Sequence, residues 1–168
     1  MILFLSFAIV KNNKIIEGHS VDEIRIGMSV SQVESILKSK PKKIVWAKHS
    51  FEYRFEKEGI SIYEKQDDSL HNVFAITVYP NKWKGLTSKG LRVSKRLRIK
   101  DVIETYGKPV WGYTTDCLEL DAEYEELGIY FSINIINGIC DEIEIDHDSL
   151  FYYSEVIELT IGKVDTDY

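Results

Sequence analysis

The chain has 168 residues, 44% hydrophobic and 12% aromatic, with three Pro and ten Gly, which excludes a disordered or low-complexity chain and suits one ordinary domain. The net charge of -6 is unevenly spread: residues 1–100 carry 19 Lys and Arg against 10 Asp and Glu, and residues 101–168 carry 2 against 17. So acidic a C-terminal part repels nucleic acid and attracts basic proteins.

Residues 1–10 are almost wholly apolar, with no Lys or Arg before the run and no small-x-small site after it. They read as a buried first strand of a cytoplasmic protein rather than a secretion signal, and are too short to span a bilayer. Asn12-Asn13 suits a turn into Ile15 and Ile16, which predicts an N-terminal β-hairpin over residues 1–19.

Ile24 to Pro41 follows, and is echoed by Leu91 to Pro109. In the first copy Ser29 and Gln32 form a capping box, with Met28 and Val33 as the hydrophobic staple. Val30, Val33, Ile36 and Leu37 share one helical face, and Pro41 ends the segment. Phe51, Tyr53 and Phe55 then alternate with charged residues. Ile60 and Ile62 follow a turn at Glu58-Gly59, and Val73 to Tyr79 makes a third extended run. Trp83 stands as an aromatic anchor or lid in the polar connection 80–90.

The second copy places Ile99, Val102, Ile103 and Tyr106 on a helix face, with Gly107 at its C-terminal cap and Pro109 beyond. Its predicted strands are Thr115–Tyr124, Ile129–Ile136 and Ile139–Ile145, the last two joined by Asn137-Gly138. Val33 and Val102 stand 69 residues apart, as do Gly59 and Gly128. The pattern predicts an α+β fold of two tandem helix-plus-antiparallel-sheet units, 20–80 and 90–147, within one compact domain. The pattern leaves open whether the units share one continuous sheet, and residues 148–168 form a C-terminal segment in which Ser149 to Leu159 reads as a last strand, with a short helix as the alternative.

Strand alternation points to a candidate site. Glu119, Asp121 and Glu123 on one strand, Tyr130, Ser132 and Asn134 on the next, and Glu142, Glu144 and Asp146 on the third share the outward face. Together they predict an acidic grid for a basic partner. Catalytic chemistry has no comparable signal. Four His are scattered, and Asp146, His147 and Asp148 alternate across a strand. Phosphate loop, nucleophile elbow and H-E-x-x-H are all missing. Cys117 and Cys140 form no C-x-x-C pair and have no His at ligand spacing. No catalytic residue, cofactor or metal is assigned. The basic runs Arg92–Lys100 and Lys38, Lys40, Lys42, Lys43 read as solvated or internally paired rather than as a nucleic-acid surface.

The pattern Ile24, Gly27, Met28, Ser29, Val33, followed by strands, resembles the repeat of the small outer-membrane lipoprotein SmpA/OmlA family and of β-lactamase-inhibitor-like proteins. The second copy keeps Val102, Gly107 and Pro109. The resemblance covers roughly residues 20–147 and implies a tandem fold used to grip another protein. A small, acidic chain without motifs also looks like the immunity proteins of bacterial toxin systems, including contact-dependent growth inhibition. The expectation is therefore a non-enzymatic inhibitor of a cognate basic, nuclease-like toxin domain, contacting neither nucleic acid nor membrane. The alternatives are an SmpA-like envelope-assembly role and, third, an enzyme with an unrecognised site.

Overall fold

The computed structural model describes residues 13–47, 50–66, 72–113, 119–134 and 154–162. In chain order these form β1 (Lys14–Ile16), β2 (Ser20–Val21), β3 (Ile24–Arg25), α1 (Val30–Leu37), β4 (Lys42–Ala47), β5 (Ser50–Phe55), β6 (Ile60–Lys65) and β7 (Val73–Val78). Then come β8 (Gly85–Thr87), β9 (Arg92–Val93), α2 (Ile99–Tyr106), β10 (Val110–Tyr113), β11 (Glu119–Tyr124), a 3-10 turn (Glu125–Leu127), β12 (Ile129–Asn134) and β13 (Val156–Gly162).

Local chemistry explains the helices. The Ser29 hydroxyl accepts from the Gln32 N–H at 3.3 Å, and the Gln32 side chain accepts from the Ser29 N–H at 2.8 Å. Each bond satisfies a donor the helix leaves open. The first helix stops before Pro41, at Lys38, which takes a left-handed φ of 53°. In α2 the Asp101 carboxylate accepts from the Arg98 N–H at 3.0 Å, and Gly107 closes the helix with φ 88°. Val33, Ile99 and Val102 are fully buried.

The strands overturn the expectation of two helix-plus-sheet units. The described residues are mostly β and form two sheets. The larger has eight strands in the order β10-β11-β12-β13-β7-β6-β5-β4, and the smaller has five in the order β3-β2-β1-β8-β9. Each draws strands from both halves of the chain. In the small sheet the joint is a parallel pairing of Lys14 with Leu86 and Ile15 with Thr87. In the large sheet it is the antiparallel pairing of β7 with β13. The two halves are thus joined through both sheets, by one parallel and one antiparallel pairing. Of the predicted N-terminal hairpin, residues 1–12 lie outside the described residues, and β1 pairs with β2 and β8.

What recurs is local geometry. The helices stand 69 residues apart, as do β5 and β11, and β6 and β12. Val73 donates to the Met28 carbonyl at 2.8 Å, and Val156 donates to the Leu97 carbonyl at 3.1 Å. Each bond clips the lead-in of a helix to the start of a strand. The strand that takes this bond lies 83 residues on rather than 69. The neighbours of β12 are accordingly β11 and β13; the predicted Ile139–Ile145 lies outside the described residues together with Asn137-Gly138.

One apolar core serves both sheets and both helices. On the large sheet it is lined by Phe55, Ile62, Ile76, Leu159, Ile129 and Phe131, all at most 1% exposed. Trp83 is buried at 4% and belongs to this core. A Cβ at Gly85 would meet its ring at 2.4 Å, so only glycine fits there. Neither helix is long and apolar enough to cross a membrane.

Candidate functional site

Side chains alternate along a strand, so the core-facing set of the large sheet leaves a second set on the opposite face. That set is polar across six strands. From β5 come Glu52 and Arg54, from β6 Ser61, from β7 Thr77, from β13 Glu158 and Thr160, from β12 Tyr130 and Ser132, and from β11 Glu119, Asp121 and Glu123. The register aligns Arg54, Ser61, Thr77, Thr160, Tyr130 and Glu123 in one row across the sheet. Glu158, Ser132 and Asp121 share the next row.

The β5–β7 half of this face is satisfied internally. Arg54 grips the Glu52 carboxylate with two bonds of 2.8 and 2.9 Å. The Ser61 hydroxyl donates to Glu52 Oε1 at 2.6 Å, and the Tyr79 hydroxyl donates to the same oxygen at 3.4 Å. A buried carboxylate is tolerated when it is so completely paired. At the centre of the sheet the Thr77 and Thr160 hydroxyls meet at 2.7 Å.

The β11–β13 half is not neutralised in this way. Burial pushes the Glu158 carboxyl up to about 7; Glu119, Glu52 and Asp121 act in the same direction, and Arg54 opposes them. Burial also raises Asp121 against a hydrogen bond from Ser132. Among the described residues its buried Oδ1 has no hydrogen-bond partner. Glu123 is raised by burial, then by Asp121 and Glu125, and Tyr130 is raised by burial, Glu125 and Glu123. Among the described residues none of Asp121, Glu123 and Glu158 is in an ion pair. Desolvation and like charge disfavour the ionised forms at this end, and a donor or a cation placed there would relieve that penalty.

Six of the nine residues expected from sequence stand together on this face. Glu119 pairs with Asn134, Asp121 with Ser132, and Glu123 with Tyr130. The grid is less open than expected, since Ser132 is buried and only Asn134 of the six is exposed. Glu142, Glu144 and Asp146 lie outside the described residues, and the place beside β12 belongs to β13, which supplies Glu158 and Thr160 instead. Sequence reasoning missed Glu52, Arg54, Thr77, Glu158 and Thr160 as site residues. Their signal was available in the alternation of Phe51, Tyr53, Phe55 and of Leu159, Ile161, whose intervening positions must face the other way. Among the described residues no group of three or more His, Cys, Asp or Glu is placed to hold a metal. Asp146-His147-Asp148 is outside them.

No protein-family model matches the chain, and no curated protein matches it either. Among solved structures it is similar to the uncharacterized protein yfeY from Escherichia coli, with a TM-score of 0.56 and 9% sequence identity. That similarity covers 90% of this chain and 99% of the other. It concerns the fold alone.

Proposed function

We propose that the chain is a binding protein that inhibits a basic protein partner, in the manner of an immunity protein that neutralises a cognate toxin in the cytoplasm. The observation that carries this reading is the end of the polar face formed by β11, β12 and β13. There burial raises the pKa of Asp121, Glu123 and Glu158, and Asp121 adds to the rise of the other two. A fold gains nothing from such charges by themselves. A Lys- or Arg-rich surface docked over them restores the missing attraction, and long-range attraction speeds the encounter. The β5–β7 half, where Arg54 already holds Glu52, offers no such gain. The reading takes no catalytic residue, cofactor or nucleic acid.

The test is retention of a partner from the native source by the immobilised chain, wild type against Asp121→Asn/Glu158→Gln. These neutral changes keep size and reduce the like-charge strain, so the fold survives. A basic protein held by the wild type, eluted by salt and weakened about tenfold in the double variant is the expected result. Equal retention by both, or an acidic partner, overturns the proposal.

A further inference from the structure

The large sheet ends in two edge strands, and they are not alike. Among the described residues neither β4 nor β10 has a partner on its outer side. The β4 edge is blunted: Lys42 and Lys43 are exposed on it, and its pairing is broken by an irregularity between Val45 and Ala47. Lysines and bulges keep edge strands from pairing with other chains. The β10 edge, Val-Trp-Gly-Tyr, carries no charge, and its register with β11 is unbroken over all four residues. Val110 is 66% exposed.

Gly112 adds a feature that β4 lacks. A Cβ built on Gly112 would meet Glu123 Oε1 at 1.9 Å. The Glu123 carboxylate therefore lies over the edge strand, in space that any other side chain would fill. Asp121 stands beside Gly112 in register. A ninth strand would run about 4.8 Å away, so its residue opposite Gly112 would stand within reach of that carboxylate.

We infer that β10 is a docking edge for an extended segment of a basic partner protein, which adds to the sheet as a ninth antiparallel strand. Every strand pair in the large sheet is antiparallel, and the added one follows that pattern. The partner residue opposite Gly112 is Lys or Arg and pairs with Glu123. The residue two further on faces Val110 and is apolar. The motif is thus basic-x-apolar. Backbone bonds supply affinity, and the two side chains supply selectivity. A second copy of this chain fits poorly in the same place, because β10 against β10 brings two Glu123 carboxylates together.

The inference rests on the proposed basic partner and names the edge and motif it uses. The probe is a labelled ten-residue peptide of alternating Thr and Val with a central Arg-Thr-Val, compared with one carrying Glu-Thr-Val. Binding is read by anisotropy and by amide shifts in the isotope-labelled chain. The Arg peptide should shift Val110–Tyr113 amides and leave Lys42–Ala47 unmoved, with about a fivefold preference over the Glu peptide, as expected for one exposed charge pair. Glu123→Gln should erase the preference, Glu123→Lys should invert it, and Val110→Lys, a fully tolerable surface change, should abolish binding. Shifts on β4, a preference indifferent to Glu123, or self-association abolished by Val110→Lys would overturn the inference. If a basic partner is captured yet is indifferent to Val110→Lys, the edge falls and the acidic face stands. If the peptides invert as expected while no basic partner is found, the edge stands and the inhibitor reading falls.

Discussion

Replacing Glu158 by Gln should make the protein more stable at alkaline pH and leave it nearly unchanged in acid. In the folded chain the Glu158 carboxyl titrates at about 7, against 4.5 for an unperturbed glutamate. Below pH 4.5 both folded and unfolded chains carry it protonated. Between 4.5 and 7 the unfolded chain releases the proton while the folded chain keeps it, so stability falls as pH rises. Above 7 both are ionised, and the fold bears the full burden of an ion among carboxylates, about 3 kcal/mol. A glutamine at this position has no proton to release. Urea unfolding at pH 5, 6, 7 and 8 should show the variant's advantage growing from about 1 kcal/mol to about 3 kcal/mol, and thermal unfolding at pH 8 should show a gain of roughly 6–12 °C. Parallel pH profiles for the two proteins would refute the account, because they would mean that Glu158 titrates alike in both states.

Thr77→Val and Thr160→Val should each destabilise by about 1 kcal/mol, and the double variant should lose less than the sum, since each change removes the same 2.7 Å hydroxyl contact; a chemical-denaturation cycle measures it. Gly128→Ala should destabilise by about 2 kcal/mol or more, because φ is 60° and the new Cβ would lie 2.9 Å from the Gly18 Cα. Phe131→Ala should cost about 3–5 kcal/mol by urea melts, since its ring is fully buried against Tyr106 and Tyr124 at 5.6 and 6.1 Å between centroids. Ser29→Ala should cost about 1 kcal/mol, and Ser29→Asp should restore most of it.

Features written within a few residues of one another were legible. The Ser29–Gln32 box, the Gly59 and Gly128 turns and the alternation in β5, β6, β11 and β12 follow from neighbours three residues apart or less. The outward sets Glu119, Asp121, Glu123 and Tyr130, Ser132, Asn134 followed from alternation, and their pairing in rows came from the structure. What failed was non-local. The two- and three-residue strands β2, β3, β8 and β9 are too short to show a period, and the parallel pairing of Ile15 with Thr87 leaves no trace in either segment. Nor does any local signal announce that β12 pairs with a strand that begins only at Val156; the predicted Asn137-Gly138 hairpin and Ile139–Ile145 strand lie outside the described residues.

The joined sheet also decides whether the basic half of the chain cancels the acidic one. If the two halves packed face to face, Lys42, Lys43 and Lys57 would neutralise Asp121, Glu123 and Glu158, and the acidic face would attract nothing. Instead β4 and β10 are opposite edges of one sheet, separated by six strands. At about 4.8 Å per step they stand roughly 34 Å apart. Charges that far apart are screened from one another, since the Debye length at physiological salt is about 8 Å. Between them lies the uncharged Thr77–Thr160 contact, and on the basic side Arg54 is already committed to Glu52. Along the large sheet, Lys42 and Lys43 at one edge are thus held too far from Asp121 and Glu123 toward the other edge to cancel them.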